Sequence, residues 1–251
     1  MGRIKVLDHG FIELDDFMGS DRKVLKTARV STGAEPVKGE AKDRGLIRYL
    51  YRNNHLTPFE QCTFTFRAKT PIFIARQWFR SRTMNFNEIS GRYTTLPEEG
   101  HIPSDFRYQG ETNHQGSVGV IGNIENQKFR EKLENFYSSG RELYSDMTSS
   151  NVAREQARIH LPTGQFTEFY MTVNLRNLFH FLELRLHDHS QYEIRVYAQA
   201  IMSILEGLDE FKWSVEVFKD MLELKYLFQR ANKKHGELQE VLTKFVEERG
   251  L

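Results

Sequence analysis

The sequence is poor in the features that define several large protein classes. It has a single cysteine, Cys62, so one chain can build neither a disulfide framework nor a multi-cysteine metal site. No stretch approaches the roughly 18 to 20 consecutive apolar residues of a membrane span, and the mean hydropathy is −0.57. The opening residues, MGRIKVLDHG, lack the apolar centre of a signal peptide; the expected compartment is the cytoplasm. Neither sign of charge is in excess: 35 Lys and Arg against 34 Asp and Glu give +1, which argues against a nucleic-acid partner. The glycine patterns GxGxxG and GxxxxGK(S/T) are missing, as are GxSxG and HExxH, so no dinucleotide fold, P-loop, nucleophile elbow or zincin motif can be argued. There is no internal repeat and no low-complexity linker.

What is present suits a folded enzyme-sized chain. Its 251 residues can bury a sizeable core. Only 39% are hydrophobic, but 19 Phe and 10 Tyr supply large apolar area per residue, which argues against disorder. The charge is also unevenly spread. Arg67, Lys69, Arg76, Arg80, Arg82 and Arg92 face only Glu88 within 26 residues, a local +5. Two readings stand: an exposed basic face, or an anion site for a phosphate-bearing small ligand.

The coarse element pattern is irregular. Two apolar runs around His9 and Gly10 suit a strand pair. Ser20 or Asp21 caps a helix to about Arg29, a loop covers Gly33 to Lys42, and a helix from Ala41 to Asn53 places Leu46, Ile47 and Leu50 on one face. Thr63 to Lys69 alternates as a strand. Thr70 and Pro71 read as an N-cap followed by a first helical proline, starting a helix to Arg80. Ser81 to Thr95 reads as a structured loop ending in a short strand, and Gln109 to Asn126 as a surface loop. Helices are expected at Gln127 to Met147 and Asn151 to His160, a strand at Gln165 to Asn174, and helices from Leu175 onward with a break near Gly207. This order predicts an α+β fold, with a mixed or antiparallel sheet flanked by long helices and a helical part over 208–251; the length suits one large domain or two small ones.

The densest chemistry lies between Arg76 and Tyr93. Arg80 and Arg82 offer two guanidinium forks, Gly91 permits close backbone approach, and Glu88 can hold an arginine or accept from a ligand. No metal is expected: on a helix, His187 and His189 point about 200° apart. Cys62 lacks a flanking histidine or helix N-terminus and reads as a core residue. Ser90 has no neighbouring base and reads as a hydrogen-bonding serine. Trp78, Phe79 and the Phe179, Phe181 and Leu182 cluster read as packing.

The segment Arg80-Ser81-Arg82, seven residues, then Ser90 resembles the Arg-His-Arg…Ser signature of flavin-dependent thymidylate synthases. Further segments resemble the same family in the same order: Ala28 to Ser31, His55 to Glu60, Ala157 to Pro162, Thr172 to Leu178, Leu184-Arg185, and His189 to Ile194. Together they cover about Ile4 to Ile204. The resemblance implies a single domain over residues 1–251 and reductive methylation of dUMP to dTMP in a homotetramer with shared active sites. Methylenetetrahydrofolate would be the carbon donor, and NADPH the reductant through bound FAD. It implies dUMP contacts from Gln77, Arg80, Glu88, Ser90, Gly91, Arg92, Arg158 and Arg185. It implies FAD contacts from Ser31, His55, Thr57, Glu60, Arg80, Ser81, Arg82, Glu88, Asn174, Arg176 and His180. Arg185 takes the catalytic role, stabilising the pyrimidine anion left when uracil N3 loses its proton.

One position departs from the pattern. Ser81 stands where the family has histidine, and a hydroxyl neither stacks nor titrates as an imidazole does. The expectation is that FAD still binds through Arg80, Arg82, Asn174 and Arg176, but more weakly. The alternative is a nucleotide- or flavin-binding protein whose catalysis is weakened or lost.

Overall fold

The computed structural model describes residues 2–33, 38–110, 116–231 and 238–249. The chain forms two compact units: one of Met1–Phe17, Phe64–Val173 and His180–Ser203, the other of Met18–Thr63, Asn174–Phe179 and Ile204–Leu251. The first carries the sheet and the second is helical, a segregation that suits an α+β pattern.

The first unit is organised by a five-stranded sheet in the order β1-β2-β3-β7-β4. Its strands are β1 (Ile4–Val6), β2 (Gly10–Met18), β3 (Thr63–Pro71), β4 (Asn85–Glu88) and β7 (Phe166–Asn174). The β1–β2 and β4–β7 pairings are antiparallel. On β3 the alternation holds: Phe64 and Phe66 are fully buried, and the residues between them are half-exposed. The core centres on Trp78, whose ring meets Phe169 at 5.4 Å, Phe181 at 5.2 Å and Tyr197 at 5.7 Å. Trp78, Phe179, Phe181 and Leu182 are therefore packing residues, as read from the sequence.

Several boundaries differ from expectation. The strand β3 runs through Thr70 and Pro71, and α3 covers only Ile72–Trp78. The reason lies in the backbone donors. Ile72 N–H bonds Gln165 O and Phe73 N–H bonds Thr163 O, both at 2.9 Å, while the Thr70 hydroxyl donates to Pro71 O instead of capping. Ser81 to Thr95 holds its strand in the middle: β4 pairs with β7, Phe86 opposite Met171, and the chain then turns through Ser90–Tyr93. The expected loop Gln109 to Asn126 contains the short pair β5 (Tyr108–Gln109) and β6 (Ser117–Val118), and α4 already starts within it, spanning Asn123–Ser149. Residues 111–115 of that stretch lie outside the described residues. The helix expected at Asn151 to His160 is a single turn α5 (Arg154–Ala157) continued as a 3₁₀ turn, Arg158–His160.

The second unit is helical. It holds α1 (Asp21–Val30), capped by the Ser20 side chain, and α2 (Glu40–Arg52), on which Ile47 and Leu50 are buried. It also holds α8 (Lys212–Ala231) and α9 (Leu238–Arg249). Asp21 accepts from the Trp213 and Ser214 N–H groups at 2.7 and 3.1 Å, capping α8. The α1 and α2 helices are joined by a buried Arg29–Asp43 ion pair at 2.6 Å. Tyr51 packs edge-on to Phe59, Phe179 and Phe218. Linking the units in sequence, α6 spans Leu175–Arg185 and α7 Tyr192–Glu206, and the chain breaks from α7 near Gly207 as expected. Among the described residues no helix is long and apolar enough to cross a membrane.

Candidate active site

In the first unit, α3 ends at Trp78 and delivers Arg80, Ser81 and Arg82 on the turn that enters β4. Ser81 N–H bonds Trp78 O at 2.9 Å, which fixes that turn. Arg80 and Arg82 are exposed. Among the described residues, no hydrogen bond or ion pair engages the guanidinium of Arg80, Arg82 or Arg158. At the end of β4, Glu88 Oε1 accepts from the Thr167 hydroxyl on β7 at 2.6 Å. The chain then turns: Tyr93 N–H bonds Ser90 O at 3.0 Å, and the Ser90 hydroxyl accepts from Arg92 N–H at 3.3 Å.

This turn brings one group of expected residues together. Gly91 is buried, and a Cβ there would lie 3.2 Å from Arg158 Cδ. Ser90, Gly91 and Arg158 therefore share one corner, with Arg92 beside them in an exposed pair with Glu155 at 3.3 Å. Such a pair contributes little and leaves Arg92 available to an anion. A second group forms at the end of α6, where Arg185 Nη2 donates to the backbone carbonyl of Gln77 at 3.3 Å. Arg185 does not pair with Glu193, which is held by Arg107 instead at 2.5 Å. Its Nε is buried with no hydrogen-bond partner among the described residues, and burial lowers the pKa of the guanidinium. A buried donor left unpaired is costly, so this atom asks for an acceptor.

The other expected cofactor residues fall in the second unit or on α6. Arg176 pairs with Glu60. Asn174 Oδ1 accepts from Asn177 N–H at 2.9 Å and so caps α6. Ser31 ends α1 and is exposed, as are His55 and Thr57, and His55 packs edge-on to Tyr49 at 6.0 Å. His180 is exposed on α6, in the first unit. The expected FAD set is thus split between the units, with Arg80, Ser81, Arg82, Glu88 and His180 in the first.

Two sequence readings change. His187 and His189 follow the end of α6 in a turn, not on a helix, and their rings stack with centroids 4.9 Å apart. The helical argument against a shared ion therefore does not apply, although no group of three or more metal-ligating side chains is present among the described residues. Second, sequence reasoning assigned no role to Arg107, Gln191 or Glu193, which form a hydrogen-bonded chain to Gln77. Gln191 and Glu193 lay within a quoted family segment; Arg107 carried no signal.

The family model described as thymidylate synthase complementing protein matches residues 13–208. The chain belongs to the flavin-dependent thymidylate synthase family. Relatives of that name include one from Treponema denticola, 46% identical over 207 residues, covering 80% of this chain and 76% of the relative. Another, from Thermosipho africanus, is 42% identical and covers 93% and 99%. Among solved structures, the UMP/dUMP methylase PolB from Streptomyces cacaoi bound with 5-Br dUMP superposes with a TM-score of 0.77 at 33% identity, covering 86% of this chain and 97% of that one. The same enzyme bound with 5-Br UMP gives 0.76.

These residues offer donors of the kind that a flavin and a nucleotide require. Uncommitted guanidinium groups on Arg80, Arg82 and Arg158, the close approach at Gly91 and the orphaned Arg185 Nε fit phosphates and a planar anionic ring. The cysteine-nucleophile route to dTMP does not fit. Cys62 is buried, its thiol donates to Ser20 O at 3.7 Å, and burial pushes its pKa up to about 11.

Proposed function

We propose that this chain is a flavin-dependent thymidylate synthase that methylates dUMP at C5 to give dTMP. Methylenetetrahydrofolate supplies the one-carbon unit and NADPH the reducing equivalents, and the active form is a cytoplasmic homotetramer. The observation that carries the reading is the Nε of Arg185, buried and without a partner among the described residues. A guanidinium remains charged at neutral pH. Placed at the pyrimidine edge, it holds the negative charge that develops on N3 and O2, raising electron density at C5. Gln77 braces it from behind through the backbone carbonyl. Ser90, Gly91, Arg92 and Arg158 hold the dUMP phosphate by charge-assisted hydrogen bonds. Glu88, fixed by Thr167, orders the strand end between them.

FAD supplies the redox chemistry when bound. Arg80, Ser81, Arg82, Glu88, His180, Ser31, His55, Thr57, Glu60, Asn174 and Arg176 are the groups we assign to it. The family match over residues 13–208 runs through both units, and the Thermosipho africanus relative covers 93% of this chain, which supports reading 1–251 as one functional domain. A binding protein without catalysis is not favoured, because relatives at 42–46% identity bear the synthase name.

The deciding measurement is dTMP formation by the purified protein with dUMP, methylenetetrahydrofolate, NADPH and FAD. Product is expected only when all four are present. A flavin-loaded protein that makes no dTMP overturns the proposal.

A further inference from the structure

A chain of hydrogen bonds reaches the nucleotide site from outside it. Arg107, just before β5, donates from Nη2 to Glu193 Oε1 at 2.5 Å and from Nε to the Ser117 hydroxyl of β6 at 3.0 Å. Its guanidinium also lies 4.8 Å over the Tyr192 ring. Glu193 is buried in the first turn of α7, where the helix N-terminus favours a negative charge. Its second oxygen accepts from Gln191 Nε2 at 2.8 Å. Gln191 Oε1 in turn accepts from Gln77 Nε2.

The chemistry of these groups gives the chain a direction. An ionised carboxylate only accepts, and burial, which by itself would raise the pKa of Glu193, is outweighed by hydrogen bonds from its own backbone N–H, Arg107 and Gln191. Gln191 must therefore turn its NH₂ toward Glu193 and its oxygen toward Gln77. Gln77 must then use its NH₂ on Gln191, which leaves Oε1 as its uncommitted end. An amide on a half-exposed surface would otherwise be equally content in either flip. The same residue receives Arg185 on its backbone carbonyl.

We propose that Glu193, held by Arg107, is a positioning residue for the dUMP site: through Gln191 it fixes the Gln77 amide so that Oε1 is offered as an acceptor to an N–H or O–H of the nucleotide. This rests on the dUMP reading above. Glutamine at 193 keeps the shape but can donate or accept, so the direction of the chain is lost and Gln77 populates both flips.

The test uses the FAD-loaded enzyme. Glu193→Gln is expected to raise the dUMP Kd and KM about tenfold, with kcat at saturating dUMP within about twofold and FAD affinity unchanged, while loss of the pair with Arg107 lowers the thermal midpoint. Arg107→Ala should shift dUMP affinity in the same direction by a smaller factor, and Arg107→Lys should restore most of it. Unchanged dUMP affinity in folded Glu193→Gln overturns the proposal. So does a loss of dUMP affinity matched by an equal loss of FAD affinity, which marks a general structural role. If the parent enzyme itself binds no dUMP, the proposed function fails first and this assignment with it.

Discussion

Arg185 shows how one residue can be both costly and useful. Its Nε is buried without a partner, a penalty of about 1–3 kcal/mol for a polar group and more for a charged one. Nothing in the described residues offsets it; on the proposed reading the acceptor is the bound pyrimidine. Arg185→Ala should therefore fold at least as stably and retain flavin, yet lose about 100-fold or more of dUMP-dependent oxidation of reduced flavin in stopped-flow measurements. Near-normal oxidation in that variant would remove its role. Lysine should rescue little, because a point charge cannot reproduce a planar fork. Ser81 poses the converse case. Its backbone N–H holds the turn, so the turn itself needs no particular side chain, and the hydroxyl contributes no ring surface to a flavin. Ser81→His should tighten FAD binding several-fold in a fluorescence titration without moving the thermal midpoint; equal affinity in the two proteins would show that the position is indifferent to the cofactor.

At the scale of elements, close backbone approach decides where α4 sits. Of its 27 residues the buried one is Tyr137, whose hydroxyl donates to His101 O at 3.0 Å. The ring is pressed on two glycines: a Cβ at Gly164 would lie 2.1 Å from the Tyr137 hydroxyl, and one at Gly100 2.5 Å from its ring carbons. Gly164→Ala must displace the tyrosine, break the bond to His101 and lose its packing, a cost of about 1–3 kcal/mol. The expected result is a fall of several degrees in thermal midpoint, with relief when Tyr137 is also reduced to alanine; additive losses in the double variant would count against the contact. These glycines were invisible in the sequence because each meets a residue far along the chain. The same applies to β4. Its single inward residue, Phe86, stands between Asn85 and Asn87, so alternation is too short to see, and only pairing with β7 makes it a strand. Thr70-Pro71 misled for a related reason: a local N-cap pattern was overridden by backbone acceptors at Thr163 and Gln165. By contrast, β3 and α1 were legible because alternation and an N-cap are local. In the site, the Arg80 to Arg92 run was legible as a dense charged segment. The chain from Arg107 was not, since its partners lie 86 residues apart.

For the molecule as a whole, near-neutral net charge means that its pH response is set by individual hydrogen-bonded carboxylates rather than by bulk repulsion. Four are held below their ordinary values. Glu99 is lowered chiefly by its bond from Lys69. For Asp8, Glu193 and Glu216 burial opposes ionisation, but hydrogen bonds outweigh it: from His101 and the Ile102 N–H to Asp8, from Arg107 and Gln191 to Glu193, and from Arg44 and Arg48 to Glu216. These groups contribute stability above their unfolded pKa near 4, and it is lost as pH falls through their lower folded values. Asp21 runs the other way. Burial raises it to about 6, although Ser214 and the Trp213 and Ser214 N–H groups favour the charged form. The folded state then holds a proton that the unfolded chain has released, so this contribution is full below about 3.8 and declines as pH rises through about 6. By the shift it reaches about 3 kcal/mol at most. The two opposed sets predict a stability maximum on the acid side of neutrality, with a limb falling toward pH 3 from the four lowered carboxylates and a gentler decline between pH 4 and 6 from Asp21. Asp21→Asn separates them. Its single oxygen can still accept from Ser214, while its NH₂ faces the Trp213 N–H and weakens the cap on α8 by an amount that does not depend on pH, because the amide does not titrate. Urea melts of the variant should therefore lose the decline between pH 4 and 6 and retain the acid limb; a variant that keeps the decline would place its origin in another group.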